Sequence, residues 1–377
     1  MQSTQETDLR FIKLAIQLAK RGLGQTGSNP SVGCLIVKND IIVGRGITGK
    51  NGVPHAEISA IKQAGLNTQG ATVFVTLEPC AHIGKTGPCV DELIKAGVSR
   101  VVCPLIDPDP RVSGKGFKKL KSAKISLDLI PIAKPLAEEV TAGFISRNLR
   151  KRPFVTAKLG ISFDGKIASQ HGTSKWITND LAREHSKLLR VQNDAVLVGT
   201  KTFAADNPSL NTRGAFKLFK TPLRLFLDRK LSVIPSDSIL ENVRKYPSIL
   251  VCGKKPNKKI LNIWRKHKIQ IIEIPEIRNK LDMKYLLKLL ANKGINSLLV
   301  EGGGEIIATF ISNSLIDRLV EYRSGVILGS NATDSIGKLQ ESPKEICKYP
   351  NLNIKSIRQL GDNIEIIWET NKNVTVS

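Results

Sequence analysis

The chain has 377 residues, more than one ordinary domain needs, and 41% of them are hydrophobic, enough to fill two packed cores. Its longest apolar runs are strand-sized, so none reaches the roughly 20 residues of a membrane span. The formal charge of +24 would suit a polyanionic partner, but scattered lysines and an aromatic content of only 5% argue against a base-stacking platform for nucleic acid.

The polar start, Met1 to Thr7, lacks the apolar core of a signal peptide, so a cytoplasmic protein is expected. Asp8 to Arg21 carries apolar residues at helical spacing, and Val32 to Val37, Thr72 to Leu77 and Arg100 to Leu105 are strand-like. This alternation over residues 1–149 implies a three-layer α/β domain. Within it, His55-Ala56-Glu57 opens a helical pattern after Pro54, and Pro-Cys recurs at 79/80 and 88/89, where helices are expected to begin. Helix N-termini favour thiolate, the form that binds metal. One imidazole and two thiolates, His55, Cys80 and Cys89, can hold zinc at three corners of a tetrahedron and leave the fourth for water. Zinc lowers the pKa of its bound water to roughly 7, and Glu57 is placed to accept that water's proton and return it to departing ammonia. Cys34, Cys103 and Cys252 lie in or beside apolar runs and read as reduced core residues, which leaves Cys347.

A basic stretch, Arg147 to Pro153, leads into a second α/β domain over residues 150–377, opening with the strand Phe154 to Lys158. Strand-like runs recur at Ala195 to Gly199, Leu223 to Asp228, Ser248 to Cys252, Gln270 to Ile274 and Ser297 to Glu301. Between them falls the lysine-rich segment Lys254 to Lys259, which reads as solvated surface. The last strand runs into Gly302-Gly303-Gly304 and the helical pattern Glu305 to Ile311. Strand, glycine turn and helix can cradle a phosphate on backbone amides, although a tight turn accounts for three glycines as well.

Eight residues separate Cys80 from Cys89, whereas two separate the cysteines of tRNA adenosine and cytidine deaminases. With Asn29 to Cys34 upstream, Thr76 to Cys80 at the site and Asp107 to Val112 downstream, the first half resembles the bacterial riboflavin-biosynthesis deaminase-reductases. Lys158 to Ala168, Ser174 to Thr178, Val198 to Thr202, Asp206 to Arg213 and Val300 to Gly304 resemble the reductase domain of the same family. The resemblance covers essentially the whole chain and is weakest over residues 230–290 and after 330.

The resemblance implies a cytidine-deaminase-like domain followed by a dihydrofolate-reductase-like domain. It implies one zinc ion per chain, NADPH, phosphoribosylaminopyrimidine substrates and a homo-oligomer formed through the reductase domain. The first domain would deaminate 2,5-diamino-6-(5-phosphoribosylamino)pyrimidin-4-one, and the second would reduce the ribose of the product to ribityl. Asn29 would contact the pyrimidine, and His82 and Lys85, between the zinc-binding cysteines, would grip the phosphate. Ile83 and Gly87 depart from the family's usual loop, which implies altered phosphate contacts at most.

In the reductase domain the match places Gly160, Trp176, Thr202, Asp206 and Arg229 on NADPH, with Gly303, Gly304, Glu305, Ile306, Ile307, Ala308 and Thr309. Ser174, Arg190, Leu210, Arg213 and Glu301 would contact the substrate, the two arginines as a phosphate clamp. Lys158 would polarise the sugar carbonyl or bind its hydroxyls, or else point to solvent, and Asp206 has the alternative of a cap before Asn207. Arg229 and Lys230 are expected to meet the 2′-phosphate of the cofactor. Two rivals stand beside this reading: a nucleic-acid deaminase, which the long cysteine spacing opposes, and a non-catalytic binding protein, which intact Glu57 opposes.

Overall fold

The computed structural model describes residues 4–82, 87–199, 202–204, 207–212, 216–340 and 343–370. It divides into two units between Arg152 and Pro153. The boundary expected at 149/150 lies inside the last turn of a helix that runs to Arg150.

The first unit contains α1 (Thr4–Lys20), β1 (Gly33–Lys38), β2 (Ile41–Ile47), α2 (Ala56–Ala64), β3 (Thr72–Val75), α3 (Cys89–Lys95), β4 (Arg100–Cys103), α4 (Lys115–Ser122), β5 (Ser126–Leu129) and α5 (Lys134–Arg150). The sheet order is β2-β1-β3-β4-β5, with β1 antiparallel to both neighbours and β3, β4 and β5 parallel. Apolar side chains leave both faces of the sheet. Leu35, Val37, Phe74 and Val102 pack against Phe11, Ile12 and Ala15 of α1, while Cys34, Ile36, Val73 and Val101 pack against Ala60 of α2, Leu93 of α3 and Leu120 of α4. Three layers result because each central strand is covered on both sides. β2 escaped the sequence reading, yet its signal is Asn39-Asp40, the two-residue turn before it. Both residues take positive φ (50° and 59°), as a tight hairpin between right-twisted strands requires.

The second unit contains β6 (Phe154–Ile161), β7 (Lys166–Ala168), α6 (Asp180–Gln192), β8 (Ala195–Gly199), β9 (Leu223–Leu227), β10 (Ser248–Gly253), β11 (Gln270–Ile274), β12 (Glu276–Ile277), β13 (Lys280–Leu281), β14 (Ser297–Val300), β15 (Arg318–Arg323), β16 (Thr333–Asp334), β17 (Asn353–Leu360) and β18 (Asn363–Glu369). Helices follow at Asp237–Lys245, Lys258–Lys266, Met283–Asn292 and Gly304–Ser312. Among the described residues the main sheet has the order β11-β10-β9-β8-β14-β6-β15-β18-β17. It is parallel from β11 to β15 and ends in the antiparallel hairpin β18-β17.

The buried parallel strands read as continuous apolar runs, and all five residues of β8 are buried. Leu286, Leu287 and Phe310 cover one face and Ile239, Leu261 and Trp264 the other. The first three helices start on capping side chains, with Ser236, Asn257 and Asp282 accepting backbone N–H bonds.

Candidate active sites

Close backbone packing sets the first site. A Cβ on Gly46 of β2 would lie 1.8 Å from the Ala56 carbonyl oxygen, so only glycine lets α2 rest directly on this strand. His55 immediately precedes that helix and Glu57 lies in its first turn. Cys89 opens α3 after Pro88. Cys80, expected at a helix start, lies instead in irregular chain after β3, with its carbonyl accepting from Val90 N (3.3 Å) in the first turn of α3.

His55 Nδ1 is 3.2 Å from Cys89 Sγ and 3.5 Å from Cys80 Sγ, and Cys89 N donates to Cys80 Sγ at 3.3 Å. Zinc bonds of about 2.0 Å to nitrogen and about 2.3 Å to sulfur, at tetrahedral angles, set N and S roughly 3.5 Å apart, so this donor set fits the ion and leaves one corner open. Hydrogen bonding from the Cys89 thiol, and then from His55, takes the Cys80 thiol down to about 4 against its burial. The hydrogen bond to Cys80 in turn raises the His55 pKa. Glu57 is almost completely enclosed, and burial together with the charge of Cys80 pushes its carboxyl up to about 7.

Around these groups, Asn29 Nδ2 donates to the Gly52 carbonyl at 3.0 Å. The buried His82 Nδ1 has no hydrogen-bond partner among the described residues. Lys85 lies outside the described residues.

Glu78 lies within the Thr76 to Cys80 stretch at the site, and sequence alone assigns it no role. Its buried carboxylate accepts four backbone N–H bonds, Oε2 from Asp107 (3.1 Å) and Gly114 (2.9 Å), Oε1 from Gly116 (2.9 Å) and Phe117 (3.2 Å). This ties the end of the zinc strand to the downstream loop and to the start of α4. The signal was available in the sequence: a carboxylate at the end of an apolar strand has to find partners once buried.

The second site is a cleft of about 1260 Å³ at the carboxyl ends of the parallel strands. Its volume exceeds the roughly 300–1,000 Å³ of ordinary ligand pockets, so it can admit a dinucleotide and a second ligand together. Lys158 and Gly160 of β6, Ser174, Thr202 and Arg229 line it. So do Glu301 and the start of the helix Gly304–Ser312, through Gly303, Gly304, Glu305, Ile306 and Thr309. A helix N-terminus beside Arg229, Lys280 and Lys338 is what a phosphate-bearing cofactor needs.

Other expected residues sit elsewhere. Ile307 and Ala308 are fully buried, and the Leu210 side chain fills the core, so these three can offer a ligand only their backbone. Trp176 is 68% exposed, with the Arg183 guanidinium 4.1 Å from its ring centroid, and does not line the cleft. Asp206 and Arg213 lie outside the described residues.

Arg190 was expected to clamp phosphate, but its fork is engaged by Glu301, Nε to Oε1 at 2.6 Å and Nη2 to Oε2 at 2.8 Å. Against the effect of burial, Arg190 holds the Glu301 carboxyl below its usual range. Burial lowers the pKa of the Lys158 ammonium, with Glu301 opposing. Arg229 pairs with Glu276 (Nη1–Oε2 2.9 Å).

A model of the RibD C-terminal domain matches residues 153–366, and one of the cytidine and deoxycytidylate deaminase zinc-binding region matches residues 5–105. The chain is 37% identical over 364 residues to the riboflavin biosynthesis protein RibD of Aquifex aeolicus, covering 97% of this chain and 99% of that one. It is 36% identical to RibD of Bacillus amyloliquefaciens, covering 94% of each. Among solved structures, Acinetobacter baumannii RibD superposes with a TM-score of 0.86 at 33% identity, covering 98% of this chain and 100% of that one. A diaminohydroxyphosphoribosylaminopyrimidine deaminase/5-amino-6-(5-phosphoribosylamino)uracil reductase from Thermotoga maritima superposes with a TM-score of 0.83 at 30% identity, covering 98% and 100%. With a His-Cys-Cys donor set in one unit and a dinucleotide-sized cleft in the other, the chain belongs to the RibD family, the bifunctional riboflavin-biosynthesis enzymes that join a zinc-dependent deaminase to an NADPH-dependent reductase.

Proposed function

We propose that residues 1–149 deaminate 2,5-diamino-6-(5-phosphoribosylamino)pyrimidin-4-one and that residues 150–377 then reduce the ribosyl chain of 5-amino-6-(5-phosphoribosylamino)uracil to ribityl. The observation that carries this reading is the convergence of His55, Cys80 and Cys89 within 4.8 Å of one another beside the enclosed Glu57. These three residues would hold the zinc. When bound, the ion supplies a Lewis acid that makes hydroxide available near neutral pH. Glu57, enclosed beside the ligand set, takes a proton at its carboxylate and returns it to the leaving nitrogen. Asn29, its amide fixed by the bond to Gly52, presents its oxygen to the pyrimidine, and His82 and Lys85 take the phosphate.

In the reductase, Gly303, Gly304 and the first turn after them receive the cofactor phosphates, with Gly160, Thr202 and Arg229 along the cleft and Trp176 at its margin. The side chains of Ile307 and Ala308 being buried, these two take part through backbone alone. NADPH supplies the hydride when bound. Lys158 donates a hydrogen bond to the sugar oxygen, and Glu301 opposes the lowering of its pKa by burial. Ser174 and the segment from Leu210 to Arg213 hold the rest of the substrate.

The cytoplasm is the compartment this reading assigns, in keeping with six unpaired cysteines. Assembly proceeds through the reductase unit, where the edge strand β17 exposes Ile354 (54%) and Ile357 (60%). Purified protein incubated with the diaminopyrimidine phosphate, with and without NADPH, tests the assignment. Ammonia should appear in both samples and NADPH oxidation should follow it in one. Absence of ammonia from zinc-loaded protein would refute the reading.

A further inference from the structure

Arg224 on β9 is completely enclosed, yet its guanidinium meets no carboxylate among the described residues. Nη1 donates to Ser209 O at 2.8 Å and Asn242 Oδ1 at 2.6 Å, while Nη2 donates to Asn242 O at 2.8 Å and Ser248 Oγ at 2.5 Å. The rings of Phe226 and Tyr246 flank it at 5.4 and 5.2 Å. A cation buried among neutral acceptors is a poor way to fill a core, since well-packed apolar residues can serve there at less cost. What it holds therefore matters more than the space it fills.

Arg224 and Asn242 grip the same stretch of chain. Asn242 Nδ2 donates to Asn207 O (3.1 Å) and to Asn207 Oδ1 (2.8 Å), next to the Arg224 bond at Ser209. In this stretch Asn207 and Leu210 have left-handed φ of 37° and 46° without being glycine. Asparagine tolerates that region, but leucine avoids it unless its surroundings impose it. Leu210 anchors the far side in the core, and the chain then leads to Arg213.

We propose that Arg224 and Asn242 are positioning residues of the reductase, holding the 207–212 segment in the course that brings it to the phosphoribosyl substrate. The proposal rests on the reading above that Leu210 and Arg213 contact that substrate. Neither residue touches the reacting atoms; both act through the loop.

The test uses full-length, zinc-loaded protein with NADPH and 5-amino-6-(5-phosphoribosylamino)uracil. Arg224→Met and Asn242→Asp are compared with the parent, the second keeping an oxygen for Arg224 while losing both donations to Asn207. Each should raise the Michaelis constant of the uracil phosphate by about tenfold or more, since misplacing a binding group by about 1 Å can cost up to 10²-fold. The constant for NADPH should stay within about twofold, and kcat should fall less than kcat/KM. Ammonia release should be unchanged. If Arg224→Met does not fold, Asn242→Asp and Asn242→Ala still decide the matter.

A lowered thermal midpoint with both Michaelis constants unchanged, or an equal rise in both, overturns the proposal. Arg213→Ala separates the two levels of inference. If it leaves the constant for the uracil phosphate unchanged, the substrate reading of the loop is wrong; if it raises that constant while the Arg224 and Asn242 variants do not, only their positioning role is lost.

Discussion

In the deaminase unit the metal ligands and the proton carrier come from one stretch of chain, His55 to Cys89, whereas the reductase cleft draws on separate strands from Lys158 to Glu301. The first site depends on a few side chains with fixed geometry, each indispensable to the donor set. The second distributes its binding over a strand end, a helix N-terminus and several cations. Loss of one residue should therefore switch the first activity off and only grade the second.

Cys89→Ser carries the largest expected effect: zinc content falls and ammonia release is abolished, while NADPH oxidation on the deaminated substrate persists. Loss of both activities in a folded variant would merge the two units that the contrast separates. Glu57→Gln should retain zinc, because the amide replaces none of the three ligands, and lower deamination by about 10² to 10⁴-fold. A drop of less than about tenfold, with zinc measured in the same sample, removes Glu57 from proton transfer.

The reductase responses should be graded. Replacing Arg229 and Lys230 together with Ser should raise the Michaelis constant for NADPH by about 10 to 150-fold, the worth of a charge-assisted hydrogen bond of about 1.5–3 kcal/mol, and leave that for NADH nearly unchanged. An equal change for both cofactors would assign the pair to the protein surface, where Arg229 already has Glu276. Trp176→Ala is the mildest case, because the exposed ring stacks with Arg183 and lies off the cleft. A marginal contact of that ring with the cofactor, worth about 0.5–1 kcal/mol, corresponds to about two- to fivefold in the same constant. A larger effect would bring Trp176 into the cofactor site.

The same contrast explains what the sequence revealed. The zinc set was legible because metal coordination demands particular residue types at close spacing, and the buried parallel strands were legible because burial on both faces leaves uninterrupted apolar runs such as Ala195 to Gly199. β17 was not legible: nearly all of its residues are exposed, so no apolar alternation marks it. For Arg190 the resemblance implies a phosphate contact, which a guanidinium fork suits, but a carboxylate satisfies the same fork, and only the fold brings Glu301 beside it. Arg224 shows no periodic signal either, because a single charged residue inside the apolar strand Leu223–Leu227 says nothing about what it will hold.

Glu78 has a consequence for the timing of local opening. The amides of Asp107, Gly114, Gly116 and Phe117 all donate to its one side chain. Their exchange with deuterium should be limited by a shared event, release of that carboxylate, and not by four separate fluctuations. A Glu78→Gln variant, which keeps one oxygen acceptor and turns the other position into a donor, should speed exchange at two of the four amides more than at the other two, while amides of α1 keep their protection. The zinc strand and the loop beyond it would then open as one body, with a single carboxylate as its latch.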